Sequence, residues 1–171
     1  IHKNYKINDK KLLQNRFIDN YNIMEVDEID FAMAIVNKNN IETKKVCDEN
    51  FFLYFESTDA CINLRKRNKK ICVIENLKYH HMGTQSSDPK FSTQIKMSRN
   101  WHFCWSKFYL LKKHKNYFHG IRKTLPNFIR SLKMCLFFLI KKDIENFKVH
   151  KASLSGLITS YFLKNSSYRP F

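Results

Sequence analysis

Hydrophobic positions in the first half of the chain come in short blocks separated by polar ones. Ile29 to Val36 is a nearly unbroken apolar run ended by Asn37-Lys38-Asn39-Asn40, the pattern of a buried strand followed by a turn. Phe51-Phe52-Leu53-Tyr54-Phe55 is an aromatic run that fits strand or helix. From Thr58 to Arg67, Cys61 and Leu64 interleave with Asp59, Arg65 and Lys66 at helical spacing, with Ser57 or Thr58 as N-cap. Asn68-Lys69-Lys70 interrupts this pattern, and the β-branched Ile71-Cys72-Val73-Ile74 reads as a strand. A polar loop with Gly83, paired serines and Pro89 follows. The order strand, helix, strand predicts an α/β arrangement with carboxylates where an aromatic segment meets a helix.

Beyond Pro89 the period becomes helical. Trp101, Trp105, Phe108 and Leu111 recur at three and four, as do Leu125, Phe128, Ile129, Leu132, Leu136 and Ile140. Arg130, Lys133, Lys141 and Lys142 take other positions, and Pro126 reads as a first-turn residue, where its missing N–H costs nothing. These are amphipathic cationic helices. Their apolar stripes either complete a core or lie flat on an anionic bilayer, with Trp101, Trp105, Lys112, Lys113, Arg130 and Lys133 as the membrane contacts.

Charge sharpens this division. The net charge is +16, yet residues 1–90 carry 15 basic and 13 acidic side chains, whereas residues 91–171 carry 16 basic ones against only Asp143 and Glu145. An AT-rich genome accounts for abundant Lys and Asn but not for acids that stop at one point, so two functional zones are expected. With 43% apolar residues the chain can bury a core, which excludes a disordered basic tail. Five widely spaced cysteines without a CxxC pair indicate neither a disulfide framework nor a zinc ribbon, and fit a reducing compartment. Ile1 to Asn22 does not read as a signal peptide, and the longest purely apolar run, Met134 to Ile140, falls far short of the roughly 20 residues of a membrane span. A first residue of Ile instead of Met reads as the start of a piece whose upstream part is missing.

The segment richest in chemistry is Cys47-Asp48-Glu49-Asn50-Phe51-Phe52-Leu53-Tyr54-Phe55-Glu56-Ser57-Thr58-Asp59, followed by His80-His81-Met82-Gly83-Thr84-Gln85-Ser86-Ser87. Carboxylates and imidazoles brought together can hold a divalent cation or activate a hydroxyl. Spacing alone also permits a solvated turn and an ordinary strand end.

Residue by residue, the stretch from Asp48 to Cys61 resembles the C-terminal half of bacterial family 2 glycosyltransferases of the rhamnosyltransferase-like kind, whose pattern runs F-D-E-x-F-F-x-Y-x-E-D-x-D-L-C-x-R, then a strand, then H-x-x-G-x-S. Phe31 to Asn37 is similar to the preceding family strand G-A-A-M-L-I-N, and the likeness covers about residues 24–110. The resemblance implies the C-terminal half of a GT-A, Rossmann-like domain over residues 1–88, with a basic, membrane-peripheral helical extension over 89–171. It implies transfer from a nucleotide-sugar donor to a glycan or lipid-linked acceptor in cell-surface polysaccharide synthesis, in the cytoplasm at the inner face of the cell membrane. Catalytic positions would be Glu56, Asp59 and Ser57; a divalent metal (Mg or Mn) would be met by His81, or by His80 in the alternative register; and Asp48, Glu49, Tyr54 and Ser86 would contact substrate.

The departures matter as much. The family base is the Asp of the E-D pair, here Ser57, and a serine hydroxyl does not accept a proton near neutral pH. Ala60, Asn63 and Cys47 replace the family's Leu, Arg and Phe. No D-x-D in a nucleotide-site context and no glycine-rich phosphate loop is present, so the chain alone is expected to be incomplete and inactive. The alternatives are a degenerate relative without catalysis or a basic module for a membrane surface. Nucleic acid fits less well, since no helix-turn-helix, RRM or zinc-finger pattern accompanies the charge.

Overall fold

A computed structural model describes residues 22–37, 39, 41, 45–80 and 88–169. The elements are β1 (Ile23–Glu25), α1 (Glu56–Lys66), β2 (Cys72–Ile74), α2 (Ser92–His114), α3 (Tyr117–Ile140) and α4 (Ile144–Tyr161), with a 3-10 turn over Pro89–Phe91. The described residues are thus mostly helical, with one two-stranded sheet. They do not form a plain Rossmann-like α/β layer. That layer needs parallel strands joined by crossover helices, whereas β1 and β2 pair antiparallel, Ile23 with Ile74 and Glu25 with Cys72.

The chain divides into two compact units. The first comprises residues 1–48 and 56–83, the second residues 49–55 and 84–171. In the first, Val26, Cys61 and Ile71 form a small core, with Met24, Ile29, Phe31 and Val73 packed around it. Val26 N–H donates to Ile71 O at 2.9 Å and Glu75 N–H to Asn22 O at 3.0 Å, which extends the β1–β2 pairing at both ends. The expected strand over Ile29 to Val36 is not formed. Its first part turns at Phe31 and Ala32, and Met33, Ile35 and Val36 are exposed, Ile35 at 90%. An apolar run predicts burial only where a partner strand accepts it, and none of the described strands does.

Helix α1 begins at Glu56, two residues before the start read from the sequence. Ser57 and Thr58 therefore lie inside the first turn instead of capping it, and Thr58 Oγ1 donates to Glu28 Oε1. The ends suit the helix dipole, with Glu56 and Asp59 in the first turn and Arg65 and Lys66 in the last.

In the second unit, two short connectors join three long helices. Asn116 caps α3 by accepting from His119 N–H at 2.8 Å, and Asp143 caps α4 by accepting from Asn146 N–H at 3.1 Å. The bonds from Asn146 hold the Asp143 carboxyl below its ordinary range. Residues 49–55 are neither strand nor helix. They run irregularly against α2, where Ser106 Oγ donates to Leu53 O at 2.8 Å and Phe51 meets Tyr109 edge-on at 5.0 Å.

Pro126 is the tenth residue of α3, not a first-turn residue. Without an N–H it leaves the Arg122 carbonyl without an intrahelical donor. α4 falls within the helical extension expected over 89–171, but no apolar stripe marks it, because its buried face consists of Ala152, Ser153, Gly156, Leu157 and Ser160, too small and polar to register as one.

His102 ties the chain's last described residues to α2. Its Nε2 lies 3.1 Å from Tyr168 O and its Nδ1 3.0 Å from Ser166 Oγ, which fits a neutral ring that donates from Nε2 and accepts at Nδ1. Burial, with the Arg169 guanidinium nearby, holds the imidazole below its ordinary value. The unfolded chain then binds the proton first, so this contribution is present above about pH 6.5 and fades as pH falls below it. The melting temperature should fall between pH 7.5 and 5, and His102→Gln should flatten that fall; an equal slope in the variant would assign it to other groups, His150 among them.

Candidate functional site

The approach to α1 is conformationally unusual. Tyr54 and Phe55 have φ of 68° and 67°, a left-handed geometry that bulky aromatic residues rarely adopt, and which costs about 1–3 kcal/mol per residue. Glu56 follows directly, and α1 lifts Glu56, Ser57 and Asp59 onto its first turn.

Three groups gather there. Asp59 is fully buried and its Oδ2 accepts from Asn63 Nδ2 at 3.0 Å, one turn along. Among the described residues Glu56 Oε2 is buried without a hydrogen-bond partner. The Cys47 thiol is pushed up first by burial and then by the negative charges of Glu56 and Asp59. Ser57 is half-buried on the same turn. A third carboxylate, Glu28, is held by Thr58, and Arg65 pairs with Asp27 at 2.7 Å.

Chemically, a buried carboxylate oxygen without a donor has lost its water and has not replaced it. It is set up to accept a hydrogen bond from a hydroxyl brought to it. Asp59 differs, since its bond to Asn63 gives it a structural tie within α1. The thiol neighbours add no nucleophile: burial raises Cys47 and Cys61 above the ordinary thiol value and pushes Cys104 of the helical unit up to about 11.

Of the residues singled out from sequence, Glu56, Asp59 and Ser57 are brought together. His80 is not. It is exposed after β2, and no described contact links it to Glu56 or Asp59. His81 and Ser86 lie outside the described residues. Asp48 belongs with the first unit beside Cys47, whereas Glu49 and Tyr54 belong to the helical unit, Tyr54 against Phe103 at 5.7 Å. Among the described residues no three His, Cys, Asp or Glu side chains are grouped to hold a metal ion, so the residues described do not by themselves fit a divalent-cation site.

No family model, curated protein or solved structure matches the chain.

The membrane-contact reading needs correction at both tryptophans. Trp101 and Trp105 are 2% and 4% exposed, stacked on Tyr168 and Tyr109 respectively. Their indole N–H groups donate inward, Trp101 to Ser155 Oγ at 3.3 Å and Trp105 to Lys164 O at 2.9 Å. A tryptophan at a bilayer interface keeps its polar edge toward water, whereas these have their polar edge satisfied by the protein. Lys112 and Lys113 lie over the rings of Tyr109 and Phe51 at 6.0 and 5.8 Å. Arg130 and Lys133, by contrast, are exposed on α3. What the sequence reading missed is the orphan oxygen of Glu56; no sequence pattern reports it, because it depends on how the chain folds around α1.

Proposed function

We propose that this chain forms the acceptor side of a family 2-like, GT-A glycosyltransferase. Such an enzyme moves a sugar from a nucleotide-sugar donor to a glycan or lipid-linked acceptor at the inner face of the cell membrane, in cell-surface polysaccharide synthesis. The observation that carries the reading is the buried, donor-less Glu56 oxygen on the first turn of α1, at the E of the family's E-D pair. In an inverting transfer the acceptor oxygen bonds to the anomeric carbon, the bond to the nucleoside diphosphate breaks, and the hydroxyl proton passes to a carboxylate. Glu56 orients that hydroxyl by accepting its hydrogen bond. Asp59, tied to Asn63, fixes the turn, and the proton acceptor's position holds Ser57, whose hydroxyl takes no proton near neutral pH, so the chain as it stands binds and orients the acceptor without supplying the base. A non-catalytic relative that keeps acceptor binding is the second reading, and Ser57 is the residue that favours it.

Acceptor binding tests the proposal on this chain directly. Saturation-transfer NMR with a panel of hexose and deoxyhexose glycosides is expected to show contact. Glu56→Gln should weaken it by about 10- to 100-fold, the range for losing a hydrogen bond to a charged group. Absence of contact with every glycoside, or an unchanged affinity in the variant, would sink it.

A further inference from the structure

Helices α3 and α4 of the second unit pack mostly small residues inward, against an α2 that buries Trp101, Trp105 and Phe108. α3 buries Gly120, Thr124, Ser131 and Cys135, and α4 buries Ala152, Ser153, Gly156, Leu157 and Ser160. Phe128 and Phe138 turn toward α4, against Tyr161 and His150, but most of the large apolar residues of α3 face the other way. Phe118, Leu125, Ile129, Leu132, Leu136 and Ile140 are exposed, from 44% at Leu125 to 82% at Phe118. At about 100° per residue all six fall within about 40° of one line along the helix. Water-exposed helices place such a stripe inside; here among the described residues nothing covers it.

A cationic strip borders the stripe. Arg122, Lys123, Arg130 and Lys133 are exposed, α3 contains no acid, and Lys141 and Lys142 follow its end. Between stripe and strip lies a shallow groove of about 550 Å³ lined by Arg122, Leu125, Pro126, Ile129, Arg130 and Lys133. Among the described residues none of Arg122, Arg130 or Lys133 has an ion-pair partner. A large apolar stripe, an adjoining basic strip and small-residue packing behind it describe a helix lying in the plane of a membrane interface. α3 does not cross: no described helix is long and apolar enough to span a bilayer.

The geometry points to this face of α3 as the surface that docks the chain on an anionic bilayer, the stripe entering the boundary of head groups and acyl chains and the basic strip meeting lipid phosphates. This rests on, and specifies, the membrane location in the function proposed above. A second copy of the chain is a poorer occupant, because stripe against stripe would set the Arg and Lys strips of two copies side by side with no α3 acid between them.

Flotation of the full chain with large unilamellar vesicles tests this. Vesicles of phosphatidylcholine with about one third phosphatidylglycerol should retain it about tenfold or more above phosphatidylcholine alone, and high salt should weaken retention. Arg130→Glu with Lys133→Glu should cost about tenfold or more, as should Leu132→Glu with Leu136→Glu. All four side chains are exposed, and far-UV circular dichroism checks that the helices persist. Arg67→Glu with Lys78→Glu makes the same change of net charge on exposed residues of the first unit and should leave retention within about threefold. Retention insensitive to both α3 pairs, or equally sensitive to the Arg67 and Lys78 pair, overturns the α3 assignment while the membrane location stands. Lack of retention by any vesicle overturns both. A dimer in solution that the Leu132 and Leu136 pair disperses, with retention unchanged, assigns the stripe to a second copy.

Discussion

Ser57→Asp, in a chain joined behind a GT-A nucleotide-binding half, is expected to raise sugar transfer by about 10²- to 10⁴-fold, the range that a positioned proton acceptor supplies. The position is suited to the change. Ser57 is half-buried on the first turn of α1, between Glu56, whose Oε2 has no donor, and Asp59. A third carboxylate there is repelled by its neighbours, but the helix N-terminus favours negative charge by about 0.3–1 kcal/mol, which offsets part of that repulsion. Ser57→Asn separates the proton from the shape: it is as large as aspartate, hydrogen-bonds similarly, and accepts no proton. Release of nucleoside diphosphate in the presence of acceptor should rise for aspartate only. A rise for both would make the effect one of fit. A rise for neither would mean that this turn does not hold the reacting hydroxyl, and the proposed role of Glu56 would fall with it.

How much of this was legible in the sequence varies with what each element depends on. α1 and β2 are fixed locally, by the spacing of Cys61 and Leu64 and by the β-branched run after Asn68-Lys69-Lys70, and both form within two residues of the expected bounds. Ile29 to Val36 depends on a partner strand, and residues 51–55 on α2, so their composition alone was ambiguous or misleading. The apolar stripe from Leu125 to Ile140 was visible as a period, but a period does not say which face is inside. That is decided by close approach, which needs residues as small as Gly120, Ser131 and Gly156, and the same requirement hid α4. The period of Trp101 and Trp105 fits a core face and a bilayer face alike. Their N–H groups find acceptors in Ser155 and Lys164, more than fifty residues away in sequence, which no local pattern reveals. At the site, residue types placed Glu56, Ser57 and Asp59 on one turn, while the missing donor to Glu56 is a property of depth and appears only in three dimensions.

Close approach of α4 to α2 makes Gly156→Ala the most damaging single methyl group in the helical unit. A Cβ at Gly156 would sit 2.4 Å from the Trp101 carbonyl oxygen, 3.1 Å from its carbonyl carbon and 3.2 Å from its Cα. These are backbone atoms inside α2, so relief requires α4 to move outward, which loosens the packing of Ala152 and Leu157, buried on α4 beside Gly156. Such overpacking costs up to about 3 kcal/mol, against which alanine recovers at most about 1 kcal/mol of helix propensity. A net loss of about 2 kcal/mol should lower the urea midpoint by about 1 M at a typical slope. Gly120→Ala supplies the contrast. Its Cβ would meet the edge of the Phe108 ring at 2.8 Å, a buried side chain and not backbone, which can give only by turning against Tyr117 and Tyr161, so the loss should be smaller than at Gly156 but not zero. Unfolding followed by fluorescence of Trp101 and Trp105, both beside the affected contact, reads the difference. Equal midpoints for the two variants would mean that α2 and α4 do not approach as closely as the small-residue packing requires, and the outward orientation of the α3 stripe would lose its structural cause.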